Sequence, residues 1–277
     1  MCVVSVLVGL DVVVVGFLDN GSIAAAGFQA LATIAKGPVY VAAGSALVAF
    51  PLLRTPGARI SEVLGASFAS FGQLVVVAFG IIATAPPVMA GLIVPEKYRG
   101  SLGLLPWLAV SGLGYAVLMV LATVLLALRA YRRCQLGLVC ASFLVVGGLW
   151  IGWNLNAVAG MAVGSAIGAV VSGTVLAVLA WPVIVASRAG AVKFVFTAMM
   201  LIAALAISSR LQPMVWLALS ALSGSTVLAH QRGLLPIWND VRIFRRRRGN
   251  SRRKEKEPDR QEFRARHLRN PRGSRWA

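Results

Sequence analysis

The length of the apolar runs limits what this chain can fold into more than any other feature. Breaks at Arg, Lys, Pro and Asn leave eight of them, at 1–18, 22–53, 60–85, 102–129, 135–154, 157–186, 191–209 and 213–230. A helix needs ~20 mostly apolar residues to cross the hydrocarbon of a bilayer. A membrane β-barrel strand would instead alternate polar and apolar residues, and none of these runs does. The chain is 58% hydrophobic and 13% charged, with a mean hydropathy of +0.80. An ordinary soluble domain is about half apolar and about a quarter charged. A soluble fold of this size has too little interior to hide such a surface. The expected class is therefore all-α: a polytopic membrane helix bundle with eight transmembrane helices.

The positive charge is unevenly spread. Residues 237–277 hold 15 of the 27 Lys+Arg against five acids. This stretch runs through Arg245–Arg248 and Arg252-Arg253-Lys254 without apolar periodicity, so a disordered basic tail is expected. Its natural contacts are anionic membrane lipids, at ~1 kcal/mol per basic residue near the surface. No aromatic interleaving supports nucleic-acid binding. Between the runs, Arg54, Arg59, Arg129, Arg132, Arg133, Arg188 and Lys193 fall on one side, and Lys97, Arg99 and Arg210 on the other. The positive-inside rule puts the richer side in the cytoplasm. The expectation is a multi-pass protein of the cell (cytoplasmic) membrane with both termini cytoplasmic.

Ionisable side chains at bilayer depth usually face a protein interior or a water-filled cavity. Two stand out, Asp11 and Lys36. Counted from the turn at Asp19-Asn20-Gly21 at 1.5 Å per residue, they lie roughly 12 Å and 22 Å into the membrane, and a lysine stem can bridge part of that offset. Gln29, Thr33, Lys36 and Tyr40 share one helical face, just before or across Gly37-Pro38, where proline frees a carbonyl and kinks a helix. This polar stripe, with Asp11, is the candidate lining of a hydrophilic path; a structural ion pair that only fixes packing is the plainer alternative. Glu62 and Gln73 repeat the pattern on the third segment, and Trp107, Ser111 and Tyr115 share a face on the fourth. Gly160, Gly164 and Gly168 form GxxxGxxxG, a spacing that lets helix backbones approach closely. Residues 86–101 form the longest external connection, with an apolar middle suited to a short interfacial helix or a plain loop.

Nothing in the sequence makes a case for an enzyme. His230 and His267 form no set, the cysteines Cys2, Cys134 and Cys140 lack metal-binding spacing, and no phosphate-binding loop is present. No catalytic residue, metal or cofactor is expected.

Several segments carry a resemblance: Leu10-Asp11-Val12-Val13-Val14; Ala24-Ala25-Ala26-Gly27-Phe28 leading to Lys36-Gly37-Pro38 and Phe50-Pro51-Leu52; Val94-Pro95-Glu96-Lys97-Tyr98 followed by Leu105-Pro106-Trp107-Leu108; and Ala127-Leu128-Arg129-Ala130. In this order they resemble the polysaccharide flippases of the multidrug/oligosaccharidyl-lipid/polysaccharide exporter superfamily. The resemblance implies that 1–186 is the C-terminal six-helix lobe of such a transporter and 187–236 two additional helices, with 237–277 as the tail. It implies a polyprenyl-linked saccharide as substrate, moved by alternating access for polysaccharide and cell-envelope biosynthesis. A first lobe has no counterpart in this sequence. An upstream start, a separate chain, a homodimer and a relic are the four readings of that departure. Two other functions fit the same residues: a cation-coupled multidrug exporter using Asp11, and a non-transporting scaffold subunit docking through the glycine ridge.

Overall fold

A computed structural model describes residues 2–53, 60–181 and 213–227, and every regular element among them is helical. The elements are α1 (Cys2–Leu18), α2 (Ile23–Leu53), α3 (Ile60–Ala83), α4 (Pro87–Ile93), a 3₁₀ segment (Glu96–Leu104), α5 (Leu105–Ala127), α6 (Tyr131–Leu179) and α7 (Pro213–Val227). α1, α2, α3, α5 and α7 fall on apolar runs expected from the sequence and α6 covers two of them, while α4 and most of the 3₁₀ segment form the 86–101 connection. The expected helix at 191–209 and the basic tail lie outside the described residues.

Local chemistry sets the boundaries. Between α1 and α2, Gly21 takes a φ of +91°, the left-handed region that costs glycine nothing. Ser22 then caps α2: its hydroxyl accepts the Ala25 amide at 2.9 Å and donates to the Asp19 carboxylate at 2.5 Å. Pro86 and Pro87 stop α3, because neither can supply the amide hydrogen that would continue its ladder. Pro87 instead opens α4.

α6 counts as one element of 49 residues, but its backbone leaves helical geometry at Asn156 and Ala157. It folds back there into two antiparallel arms. A β-carbon built on Gly148 would meet the Gly164 backbone, one on Gly160 the Gly152 carbonyl, and one on Gly168 the Leu144 carbonyl. These pairs step down the two arms in opposite directions, as a hairpin requires. The sequence places a break near 155, and the structure puts it at the same point.

α5 is the hub. It packs against α2, α3 and α6, and residues on all its faces are buried. This follows from its composition, since a helix that is apolar all round has no face that prefers water. Glycines set its closest approaches. A β-carbon at Gly112 would meet Phe79 of α3 and, at 3.1 Å, the Ala35 carbonyl of α2; one at Gly114 would sit 2.8 Å from the Ala169 β-carbon in the second arm of α6. α7 is tied to the end of α3 by a hydrogen bond from Trp216 Nε1 to Thr84 Oγ1 at 3.1 Å.

Among the described residues, two helical elements are long and apolar enough to cross a membrane, Glu96–Ala127 and Tyr131–Leu179, the second of them folded back on itself; α3 and α4 make a third if the bent pair is one span. The all-helical class is therefore plain and fits a membrane protein, while the count of eight spans is not reached among these residues.

Candidate functional site

The geometry of helix side chains draws Asp11 and Lys36 together. In any α-helix the Cα–Cβ bonds tilt toward the N-terminus. α1 and α2 run antiparallel, so the Asp11 side chain leans away from their connecting turn and the Lys36 side chain leans toward it. The two side chains converge across the offset in depth expected from the sequence. The Lys36 ammonium reaches both Asp11 carboxylate oxygens at 2.5 Å, and Asp11 is 0% and Lys36 4% exposed.

The remaining hydrogen-bonding capacity of the pair is largely taken up. Lys36 Nζ also donates to the Val8 carbonyl at 2.6 Å. Asp11 Oδ1 accepts the Val12 amide at 2.8 Å, and Oδ2 accepts the Ser165 hydroxyl at 3.2 Å. Val8 and Val12 are one helical turn apart, so the pair grips the backbone of α1 on both sides of Asp11. Charge burial is tolerated only where such partners exist. Lys36 Nζ also lies 5.2 Å from the centre of the Tyr115 ring on α5, within cation–π range. Four helical segments thus meet at one charge pair: α1, α2, α5 and the second arm of α6.

One group in the cluster is left over. Tyr115 is fully buried, and its hydroxyl has no hydrogen-bond partner of good geometry among the described residues. Gln73 Oε1 on α3 is buried and unpartnered in the same sense.

The rest of the expected polar path does not share this environment. Gln29 Nε2 makes a long 3.5 Å contact with the Val12 carbonyl. Thr33 is exposed and bonds back to the Gln29 carbonyl at 2.9 Å. Tyr40 is 71% exposed. Asp11 and Lys36 meet, whereas Thr33 and Tyr40 face outward from the described bundle. Of the aromatic face on α5, Ser111 and Tyr115 are buried while Trp107 is exposed. The Glu62 side chain lies outside the described residues.

Ser165 is the member of this buried cluster that the sequence did not single out. It directly follows Gly164 in the GxxxGxxxG stretch, where a serine reads as one more small packing residue. No sequence signal marks its contact, which joins it to Asp11 across 154 residues of chain. Gly160, Gly164 and Gly168 do serve packing, but against the first arm of their own hairpin.

Beside the hairpin lies a groove of about 540 Å³, bordered by Trp107, Ile151, Leu155 and Ile167 with the glycine seam among its lining residues. Its lining includes neither Asp11 nor Lys36. Among the described residues no three His, Cys, Asp or Glu side chains cluster closely enough to hold a metal ion. Chemically, the site can hold a cation and an anion in contact at low dielectric, and release either one only against a strong attraction. Comparison with family models, with curated proteins and with solved structures finds no match to this chain.

Proposed function

We propose that this chain is a membrane transporter of the flippase type, or one lobe of such a transporter, that moves a polyprenyl-linked saccharide across the cytoplasmic membrane. The observation that carries the reading is the Asp11–Lys36 pair, buried where four helical segments of an otherwise apolar bundle meet. An intramembrane ion pair is costly to keep, and such residues commonly mark transport pathways. The segments resembling the polysaccharide flippases add the substrate class.

In this reading the structure is the occluded arrangement. Lys36 is held by Asp11 until an anionic substrate group competes for it. A lysine ammonium is a point charge well suited to a pyrophosphate. Exchange of Asp11 for pyrophosphate would free α1 from α2 and from the second arm of α6, opening a path past Gln29, Thr33 and Tyr40. The eight-span topology, the cytoplasmic termini and the contact of the basic tail with anionic lipids belong to the same proposal. So does a second lobe, from another chain or a second copy, that completes the cavity.

The test is Lys36→Ala in a strain that relies on this gene. Loss of polymer export at normal protein level is expected. Unchanged export would overturn the role of the pair. A blot of the native protein, tagged at its C-terminus, shows whether the chain runs near 29.2 kDa or near the larger mass of a complete two-repeat transporter.

A further inference from the structure

The connection between α3 and α5 carries an inference separate from the charge pair. α4 leaves α3 at an angle of 99°, so if α3 stands across a membrane, α4 lies nearly in its plane. Pro86 and Pro87 end the α3 ladder, and Thr84 folds its hydroxyl back onto the Gly80 carbonyl at 2.7 Å. α4 turns Ala90 and Gly91 inward. The Arg99 side chain covers Gly91 and its Nη2 donates to the Gly91 carbonyl at 3.3 Å, which pins α4 to the 3₁₀ segment.

The other face of α4 is bare and apolar. Val88, Leu92 and Ile93 are 67%, 78% and 73% exposed. Cations stand beside it: Lys97 lies 4.7 Å over the Tyr98 ring, and Arg99 pairs with Glu96 at 3.2 Å. The position in the bundle is also defined. Tyr98 and Ser101 abut Gly27, near the start of α2. Gly103, Leu104 and Trp107 share the groove with Leu155 and Asn156 at the hairpin tip. α4 therefore lies at the end of the bundle that carries the α1–α2 turn and the α6 fold-back. An apolar strip at that end, flanked by cations and by a half-exposed tryptophan, matches the layering of a bilayer surface from acyl chain to headgroup.

We propose that α4 is an interfacial foot. It lies flat in the membrane surface, with Val88, Leu92 and Ile93 among the upper acyl carbons and Lys97 and Arg99 at the phosphates of bilayer phospholipids. The inference rests on the membrane reading of the fold but not on the transport reading.

The experiment uses the full chain with Cys2, Cys134 and Cys140 replaced by Ala and one new cysteine, Leu92→Cys, carrying an environment-sensitive fluorophore. The protein is reconstituted in mixed phosphatidylcholine–phosphatidylglycerol vesicles whose lipids carry a nitroxide at the headgroup, high on the chain or at the chain end. An in-plane helix buries its apolar face roughly 5–10 Å into the boundary, so the high-chain nitroxide should quench most and aqueous iodide least. Val88→Cys, on the same face, should report the same depth, and Gly100→Cys should be reached by iodide. Strongest quenching by the chain-end nitroxide would make α4 part of a re-entrant loop and overturn the proposal. Strong iodide quenching at Leu92 and Val88 would make it an aqueous loop and overturn it equally. Release of the whole chain from membranes by alkaline carbonate would instead overturn the membrane reading.

Discussion

Gly152 and Gly160 meet backbone to backbone across the fold of α6, and neither has room for a β-carbon. Gly147, on the first arm, has nothing within 4 Å of where its β-carbon would be. Two glycines five residues apart on one arm therefore carry opposite expectations. Gly152→Leu should separate the arms and cost at least ~1–3 kcal/mol of stability, the usual range for overpacking. Gly147→Ala should leave stability unchanged or raised, since alanine is the better helix former. Thermal unfolding of the purified protein in detergent, compared at equal protein-to-detergent ratio, checks both.

The charge pair should behave as a unit. Asp11→Asn or Lys36→Met alone leaves one buried charge without its partner, a loss of about 3–5 kcal/mol. The double variant removes both charges and should recover much of that loss. A double-mutant cycle from unfolding titrations measures the coupling. Additive losses would show that the two side chains do not share their stabilisation.

Ser165→Ala tests the third member of the cluster. The hydroxyl donates to a carboxylate, so its loss should cost about 1.5–3 kcal/mol. Combined with Asp11→Asn, the cost should shrink, because the charged acceptor has gone. The same unfolding assay reads the difference.

Thr84→Val should loosen α7 from α3. It removes the acceptor of the Trp216 indole, a net loss of about 0.5–1.5 kcal/mol. Amide exchange across residues 213–227 should quicken, while exchange in the hairpin arms stays as it was. Equal protection in both forms would show that the hydrogen bond does not hold α7.

Much of the helical layout was legible in the sequence because the breaks are chemical: Gly21, Pro86-Pro87, Arg129 and the Asn154–Asn156 stretch end runs that nothing else interrupts. The meeting of Asp11 with Lys36 was legible as well, since helix rise and side-chain tilt fix where the two can reach. What lay on each face was not. Helices that are apolar on every side carry no periodic mark of which side is buried. Tyr40 shares a face with Lys36 and yet is exposed, while Tyr115 shares one with Trp107 and is buried. Ser165 was hidden for the same reason: its partner sits on a helix 154 residues earlier in the chain, and sequence spacing says nothing about contacts of that range.

The order of synthesis adds a consequence to the Asp11–Lys36 contact. Asp11 emerges from the ribosome 25 residues ahead of the lysine that neutralises it. Until then α1 carries an uncompensated acid, which opposes insertion at a helix centre by about 2.5–3.5 kcal/mol. On the proposed eight-span topology, α1 is therefore expected to wait at the insertion machinery and to enter the lipid together with α2. α1 and α2 would then be a single unit of biogenesis, joined by the charge pair before α5 and α6 are made.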